Sequence, residues 1–375
     1  MKKVLYIILY TLLFIGCAPV VEKTVVYPPE KNVVNEKVII KPIEPILEEK
    51  ITEVKEEEPI VIEKPVVNDN KLAIIFPSSI IGKYALEATN TINTYLLYKN
   101  EQVTLTVLDM ITQTEDNILK VMTNLKNKEI KHVIAMITKE HLSILNNIEN
   151  INEFKIYLPL INKSEIEDFG QLANLNITFG AISYQDQFDK LIEYSNSASF
   201  VELYDNTPIG KTLHNYLKSN DIKYTKRVDD NNGRYKNFLK DNKKLNNSTI
   251  ILNTPIVKSS ILLSAITVHE LNIEKIISTQ LNYTPLLFSL TQKQDRKKLI
   301  IANSIGKIKN DLLEYNQLIG NNILYSWVNY SSMIGVEYLL NGNIDFFSDL
   351  SLEDNQVIYP VNLYKVGDNS FELIK

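Results

Sequence analysis

The stretch KLAIIFPSSIIGKYALEATNTINTYLLYKNEQVTLTVLD, residues 71–109, carries the pattern that decides the fold. It opens with a short apolar run that Pro77 closes. Ala85, Ala88, Ile92, Tyr95 and Leu96 then fall at helical spacing, and VTLTVLD (103–109) is a second short run rich in β-branched residues. Strand, helix and strand in that order make a βαβ unit, whose two strands must be parallel. A parallel sheet is covered by helices on both faces, and apolar runs of this kind fit such burial.

The same grammar continues downstream. NILKVMTNLKN reads as a helix, IKHVIAMI (130–137) as a strand, EHLSILNNI as a helix, and KIYLPLI (155–161) and NITFGAI (176–182) as strands. The alternation then restarts with the strand SFVELYD (199–205), the helix GKTLHNYLKSN and the strand IKYTKRV. The helix GRYKNFLKDNKK, the strand STIILNT (248–254), the helix KSSILLSAITVHEL and the strand IEKIIST (273–279) follow. Two α/β runs in roughly 300 residues exceed what a single core usually serves, so two lobes are expected. Near the end, YSWVNYSSMIGVEYLLNG predicts a long amphipathic helix. In VIYPVNLYKVGDNSFELIK, Gly367-Asp368-Asn369 predicts the turn of a terminal hairpin.

Upstream of Lys71 the text is of another kind. From Ala18 to about Asn70, prolines recur at 28, 29, 42, 45, 59 and 65, and Glu and Lys interleave with single Val and Ile residues. Proline breaks helices and favours extended chain, so this segment is a tether. At about 3.1 Å per residue its full extension is on the order of 150 Å. It is either a spacer that lifts the body from a surface or a leader with no length requirement. Ahead of it, Met1-Lys2-Lys3 is a short basic region and Val4–Ile15 an apolar run too short to span a bilayer comfortably. Phe14-Ile15-Gly16-Cys17 resembles the lipobox of a bacterial lipoprotein signal, which implies cleavage after Gly16 and lipidation of Cys17. The alternative is an uncleaved anchor helix. Either way the body faces an extracytoplasmic space. Ala18 and Pro19 lack the aspartate that, by analogy with enteric bacteria, retains lipoproteins in the inner membrane. An outer-membrane anchor facing the periplasm is therefore expected in a Gram-negative host.

The divisions that follow are a signal peptide at 1–16, a tether at 17–70 and a body at 71–375. Within the body, lobe 1 takes about 71–183 plus part of 291–345, and lobe 2 takes about 184–290 plus the C-terminal strands. Composition excludes several functions. A chain of 375 residues with net charge −5 lacks the basic face of a nucleic-acid binder. The single Cys17 forms no internal disulfide, and the four histidines are too scattered to join it around a metal. His132 falls in a strand and His141, His214 and His269 in helices, as packed or surface residues. No HExxH, GxSxG or P-loop pattern occurs, so neither an enzyme nor a cofactor is expected.

Taken in order, these segments resemble the type I periplasmic-binding fold, the two-lobed Venus-flytrap architecture of amino-acid receptors of import systems. LAIIFPSSIIGKYALEATNTI stands where that family has its first strand, a Pro-Ser loop and the first helix. ITFGAISYQDQFDKLIEYS resembles the crossover to the second lobe, and FVELYDNTPIGKTLHNYLK the elements that open it. The resemblance covers residues 71–375. After the third strand the family commonly has a Gly-Pro turn and a Ser or Thr that holds a ligand carboxylate. Here the text is MITKEHL, with Thr138 in place of the hydroxyl and no glycine to let backbone amides approach an anion.

Open parallel sheets bind ligands beyond the carboxyl ends of their strands. That rule selects Ser78, Ser79, Thr138, Tyr184, Asp205, Thr254 and Gln280. Their hydroxyls and amides would orient a small polar ligand, and Asp205 would either pair with an ammonium group or cap the helix after it. The partners expected are a membrane, through Cys17, and either a cell-wall synthase or an ABC permease. The first resembles the penicillin-binding-protein activator lipoproteins, which implies a regulator of peptidoglycan synthesis. The second implies the substrate-binding receptor of an ABC importer. The tether and the missing glycine favour the first.

Overall fold

The computed structural model describes residues 70–375, apart from 168–169, 173–174, 219, 229–234 and 241. The signal peptide, Cys17 and the tether expected from the sequence lie outside the described residues. The strands, in chain order, are β1 (Asn70–Phe76), β2 (Val103–Asp109), β3 (His132–Ala135), β4 (Lys155–Leu158), β5 (Ile177–Phe179), β6 (Phe200–Tyr204) and β7 (Ile222–Arg227). They continue with β8 (Thr249–Asn253), β9 (Ile276–Ser278), β10 (Leu299–Asn303), β11 (Ser351–Glu353), β12 (Gln356–Ile358), β13 (Asn362–Val366) and β14 (Phe371–Leu373). The α-helices are α1 (Ser78–Lys99), α2 (Glu115–Asn127), α3 (Tyr184–Ser195), α4 (Pro208–Tyr216), α5 (Tyr235–Lys240), α6 (Ile256–Val268), α7 (Leu286–Leu290), α8 (Lys293–Arg296), α9 (Asn310–Leu318) and α10 (Trp327–Asn341).

Two seven-stranded sheets form, each the core of one lobe. Lobe 1 has the order β11-β12-β5-β4-β3-β1-β2, and lobe 2 the order β14-β13-β10-β9-β8-β6-β7. The runs read as strands pair in parallel, as the βαβ grammar requires. The edges are finished by antiparallel strands, β11 on β12 and β13 with β14 on β10. Inner strands such as β8 are buried at every residue, because helices cover both of their faces. The predicted terminal hairpin is β13–β14, and its turn closes with the Gly367 amide donating to the Ser370 carbonyl at 2.9 Å.

The chain crosses between the lobes three times: after β5 (180–183), after β10 (304–309) and after β12 (359–361). The second and third crossings place the lobe boundaries differently from the sequence division. β10 completes the parallel set of lobe 2. The segment returning to lobe 1 runs from α9 through β12, because β12 pairs with β5. The strand Leu299–Asn303 had no reading in the sequence, since it is a short apolar run without alternation. EHLSILNNI is a 3₁₀ rather than an α-helix, over Lys139–Asn147.

α10 corrects a further expectation. It is not amphipathic: every residue from Val328 to Leu339 is buried. It lies on β3 and β4 beside α1, and the segment with Ile344 and Phe347 covers it. Several of its polar side chains are bonded inside the lobe. Glu337 accepts from Tyr95 Oη at 2.7 Å and pairs with Lys99 at 3.3 Å, and Ser331 Oγ donates to the Gly180 carbonyl at 2.8 Å. Gly335 permits this depth, because a Cβ there would overlap the ring of Tyr157 on β4.

That geometry fixes the sign of a substitution. Alanine ordinarily gains up to ~1 kcal/mol over glycine inside a helix. Gly82 in α1 has room, with Ser78 Cβ 3.5 Å from the added methyl, so Gly82→Ala should stabilise. Gly335→Ala meets a fully buried ring with no space to retreat, and should destabilise by about 1–3 kcal/mol. Urea unfolding of the two variants should move the midpoint in opposite directions.

Candidate functional site

The crossings leave from the carboxyl ends of β5, β10 and β12, the side on which open parallel sheets bind ligands. On the lobe 1 side, Pro77 ends β1 and Ser78 and Ser79 open α1, both exposed. The Ser78 amide donates to Asp109 Oδ1 at 3.0 Å, and the Ile111 amide donates to the same oxygen at 2.7 Å. Burial opposes ionisation of Asp109, but the Ser78 hydroxyl together with these two amides outweighs it and holds its carboxyl below the usual range. They also hold Ile111 at φ +59°, a left-handed conformation costly for a β-branched residue. The result is an apolar lip: Ile80, Tyr84 and Ile111 are each more than half exposed.

Thr138 follows β3 as the sequence places it, at the start of the 3₁₀ helix. Its amide is engaged, donating to Gln113 Oε1 at 2.7 Å, and its hydroxyl lies 3.1 Å from His141 Nδ1. Gln113, nearly buried after β2, was missed by sequence reasoning. Nothing short of the tertiary contact distinguishes it from any other loop glutamine.

The lobe 2 residues are engaged more completely. Asp205 is buried, and its carboxylate receives the Lys258 ammonium at 2.8 Å and the amide and hydroxyl of Thr207. The ammonium partner of Asp205 is thus the chain's own, and the cap-like turn at Thr207 is the other half of its role. Thr254 Oγ1 lies 2.7 Å from Ser259 Oγ. Gln280 is locked to Gln187 of α3, accepting from Gln187 Nε2 at 2.8 Å while its amide donates to Gln187 Oε1 at 3.0 Å. The Ser304 amide donates to the same Gln280 oxygen at 2.9 Å. These bonds fasten α3 to the ends of β9 and β10, which makes Gln280 a part of the hinge.

Tyr184 opens α3 beside Trp327 and Glu165. The lobes are joined next to it, where Tyr216 Oη of α4 donates to Glu165 Oε1 at 2.8 Å. A separate cavity of about 430 Å³ lies at the crossings, lined by Asn162, Lys163, Ser183, Asp186, Ser304 and Tyr359 among others. None of the seven predicted residues lines it, and Lys163 there is paired with Asp354. Among the described residues no cluster of three or more His, Cys, Asp or Glu side chains is placed to hold a metal ion.

No family model matches the sequence, and no curated protein matches it. Solved structures do resemble the fold. A putative branched-chain amino acid ABC transporter protein from Rhodospirillum rubrum superposes with a TM-score of 0.60 at 11% identity, covering 82% of this chain and 100% of that one. The C-domain of LpoA from Haemophilus influenzae, described as a regulator of PBP1A, gives 0.53 at 12% identity over 82% and 100%. Full-length LpoA of the same organism gives 0.57 at 10% identity, and there the match covers 82% of this chain but only 59% of LpoA. The described body therefore has the two-lobed type I periplasmic-binding fold, which both kinds of protein share.

The joint between Tyr216 and Glu165 has a pH signature. Burial raises the Glu165 carboxyl above its usual range, and the bond from Tyr216 and the nearby Lys139 offset this only in part. A carboxyl raised on folding contributes stability that is complete below its unfolded pKa and declines as pH rises through the folded one. Glu165→Gln keeps an acceptor for Tyr216 and should remove that decline. Its Tm should match the parent near roughly pH 4 and exceed it at neutral pH, by thermal denaturation across that range.

Proposed function

We propose that this chain is a lipid-anchored extracytoplasmic binding protein whose lobes act on a protein partner, as an envelope adaptor or regulator of peptidoglycan synthesis resembling penicillin-binding-protein activators. One observation carries the reading: three of the expected cleft groups at the strand ends are already bonded to this chain. The Thr138 amide has Gln113, Asp205 has Lys258 and Thr207, and Gln280 has Gln187 and Ser304. A buried carboxylate ligand needs donors to offset its desolvation, and each group left unpaired costs about 1–3 kcal/mol. The exposed lip of Ile80, Tyr84 and Ile111 suits a protein surface better than a free amino acid. The likeness to the LpoA C-domain supports the same direction. The role is binding and not catalysis, in keeping with the binding and regulatory proteins that share the fold.

A second reading, the receptor of an ABC importer for an amino acid or similar polar solute, is favoured by the full-length match to the Rhodospirillum rubrum protein. A thermal-shift screen of the purified chain against the common amino acids separates the two. The adaptor reading expects no shift, together with a cell-wall synthase crosslinked to the chain in cells. A rise of several degrees with one amino acid, lost in Thr138→Ala, would establish the receptor instead.

The anchor rests on the lipobox-like sequence at Cys17. Cys17→Ser should abolish metabolic labelling with a radioactive fatty acid and leave the chain unprocessed after Gly16. Labelling that persists in the variant sinks the anchor while leaving the reading of the cleft untouched.

A further inference from the structure

Crossings between two compact lobes act as a hinge, about which the lobes rotate unless other contacts hold them. In this chain tyrosines join the lobes at three places outside the crossings. Tyr216, the last residue of α4 in lobe 2, donates its hydroxyl to Glu165 Oε1 of lobe 1 at 2.8 Å. Tyr184, which opens α3, packs against the cores of both lobes and lies beside Trp327 of α10. Tyr325 belongs to the turn between α9 and α10, in the segment that returns to lobe 1. Its ring lies 5.4 Å from that of Tyr283 and 6.2 Å from that of Phe371, both of which pack on the core of lobe 2.

Each lobe holds its own side of these contacts in place. Just ahead of Tyr325, Ile323 is fully buried in the lobe 1 core, and the Tyr325 amide donates to Asn322 Oδ1 at 3.0 Å. Asn329 Nδ2 of α10 donates to the Asn322 carbonyl at 3.0 Å, and Ser326, next to Tyr325, caps that helix. The receiving rings are packed among themselves, Tyr283 stacking on Phe371 at 4.2 Å and Phe371 meeting Phe288 edge-on at 4.9 Å. Glu165 ends a 3₁₀ turn that Asn162 caps, and Asn162 Nδ2 donates to the Ala181 carbonyl of the first crossing at 3.0 Å. The contacts lie toward opposite edges of the lobe 2 sheet. Tyr325 meets Phe371 of β14, one edge strand, whereas α4 packs on β6 and β8 toward the other edge. A rotation that widens the gap at either edge breaks one of them.

We infer that the two lobes stay closed on each other without a ligand, clamped by Tyr216 and Tyr325. The residue type suits the task. Aromatic pairs at such centroid distances attract beyond the area they bury, and a phenol adds a hydrogen bond at its tip. Burial first, and then the Glu165 carboxylate beside it, push the Tyr216 hydroxyl above its ordinary range, so it remains a donor at neutral pH. A ligand shifts lobes toward closure only by contacts made better in the closed state than in the open one; here the chain itself makes such contacts. The inference rests on them and not on either reading of the cleft, since clamped lobes are compatible with an adaptor and with a receptor.

The test uses the full chain with Cys17→Ser, which removes its single native thiol. Spin labels are attached at Lys83→Cys on α1 and Lys211→Cys on α4, exposed positions in different lobes and outside the contacts. Double electron–electron resonance then reads the distance between them. One distance population is expected without any ligand, unchanged by a mixture of the common amino acids. Tyr325→Ala combined with Tyr216→Phe should bring in a second distance, its population about tenfold that in the parent, while circular dichroism stays that of the parent. Each substitution alone should do so to a smaller degree, which keeps the test available if the pair unfolds. Tyr325→Phe, which retains the ring, should behave as the parent. Two populations in the parent that amino acids merge into one overturn the inference in favour of closure by a ligand. A single unchanged distance in the folded variants overturns it as well, since the clamp would then hold nothing.

Discussion

The carbonyl oxygen of Gly180 ties the crossings between the lobes to one another. It accepts Ser331 Oγ from α10 at 2.8 Å and Tyr359 Oη from the third crossing at 2.5 Å. The Gly180 amide meanwhile donates to Leu158 at the end of β4. Tyr330, the neighbour of Ser331, reaches Gly306 on the second crossing. All three passages of the chain are thus fastened through one turn of one buried helix. A buried carbonyl left without donors costs about 1–3 kcal/mol, so these groups hold their places together or not at all.

The depth of α10 follows from the same knot. Its hydroxyls reach Gly180 only if its axis lies close to β4, and Tyr157 on β4 fills the space between Gly335 and Gly180. Neither glycine has a positive φ, so both are there for room and not for backbone freedom. Close approach then buries Glu337, which the Tyr95 hydroxyl and Lys99 compensate. A buried carboxylate without such partners would be strongly unfavourable.

The same pairing of polar groups recurs at the strand ends. A binding pocket keeps donors and acceptors unfilled until its ligand arrives. Here Gln113, Lys258 and Gln187 fill those of Thr138, Asp205 and Gln280 from within, while the side-chain oxygens of Asn253, Thr279 and Asn282 are buried without a hydrogen-bond partner. Exposed apolar surface appears instead at the lip of lobe 1 and along α6 of lobe 2.

The parallel strands, the two-lobed division and the terminal hairpin were legible in the sequence, because each rests on local signals: apolar runs of five to seven residues, helical spacing, and a Gly-Asp-Asn turn. Thr138 and Asp205 were also found at the ends of their strands, since strand order and strand length alone locate those ends. What the sequence left open was decided by contacts between residues far apart. Gln113 meets Thr138 only because β1 lies between β2 and β3, and Lys258 meets Asp205 only because β8 lies beside β6. The burial of α10 could not be read from its own residues, since tyrosine, serine and glutamate look like a polar face until partners such as Tyr157, Tyr95 and Lys99 are in place. Local pattern fixes where a side chain stands along its element; only tertiary packing decides what it is bonded to, because that depends on neighbours the local pattern does not contain.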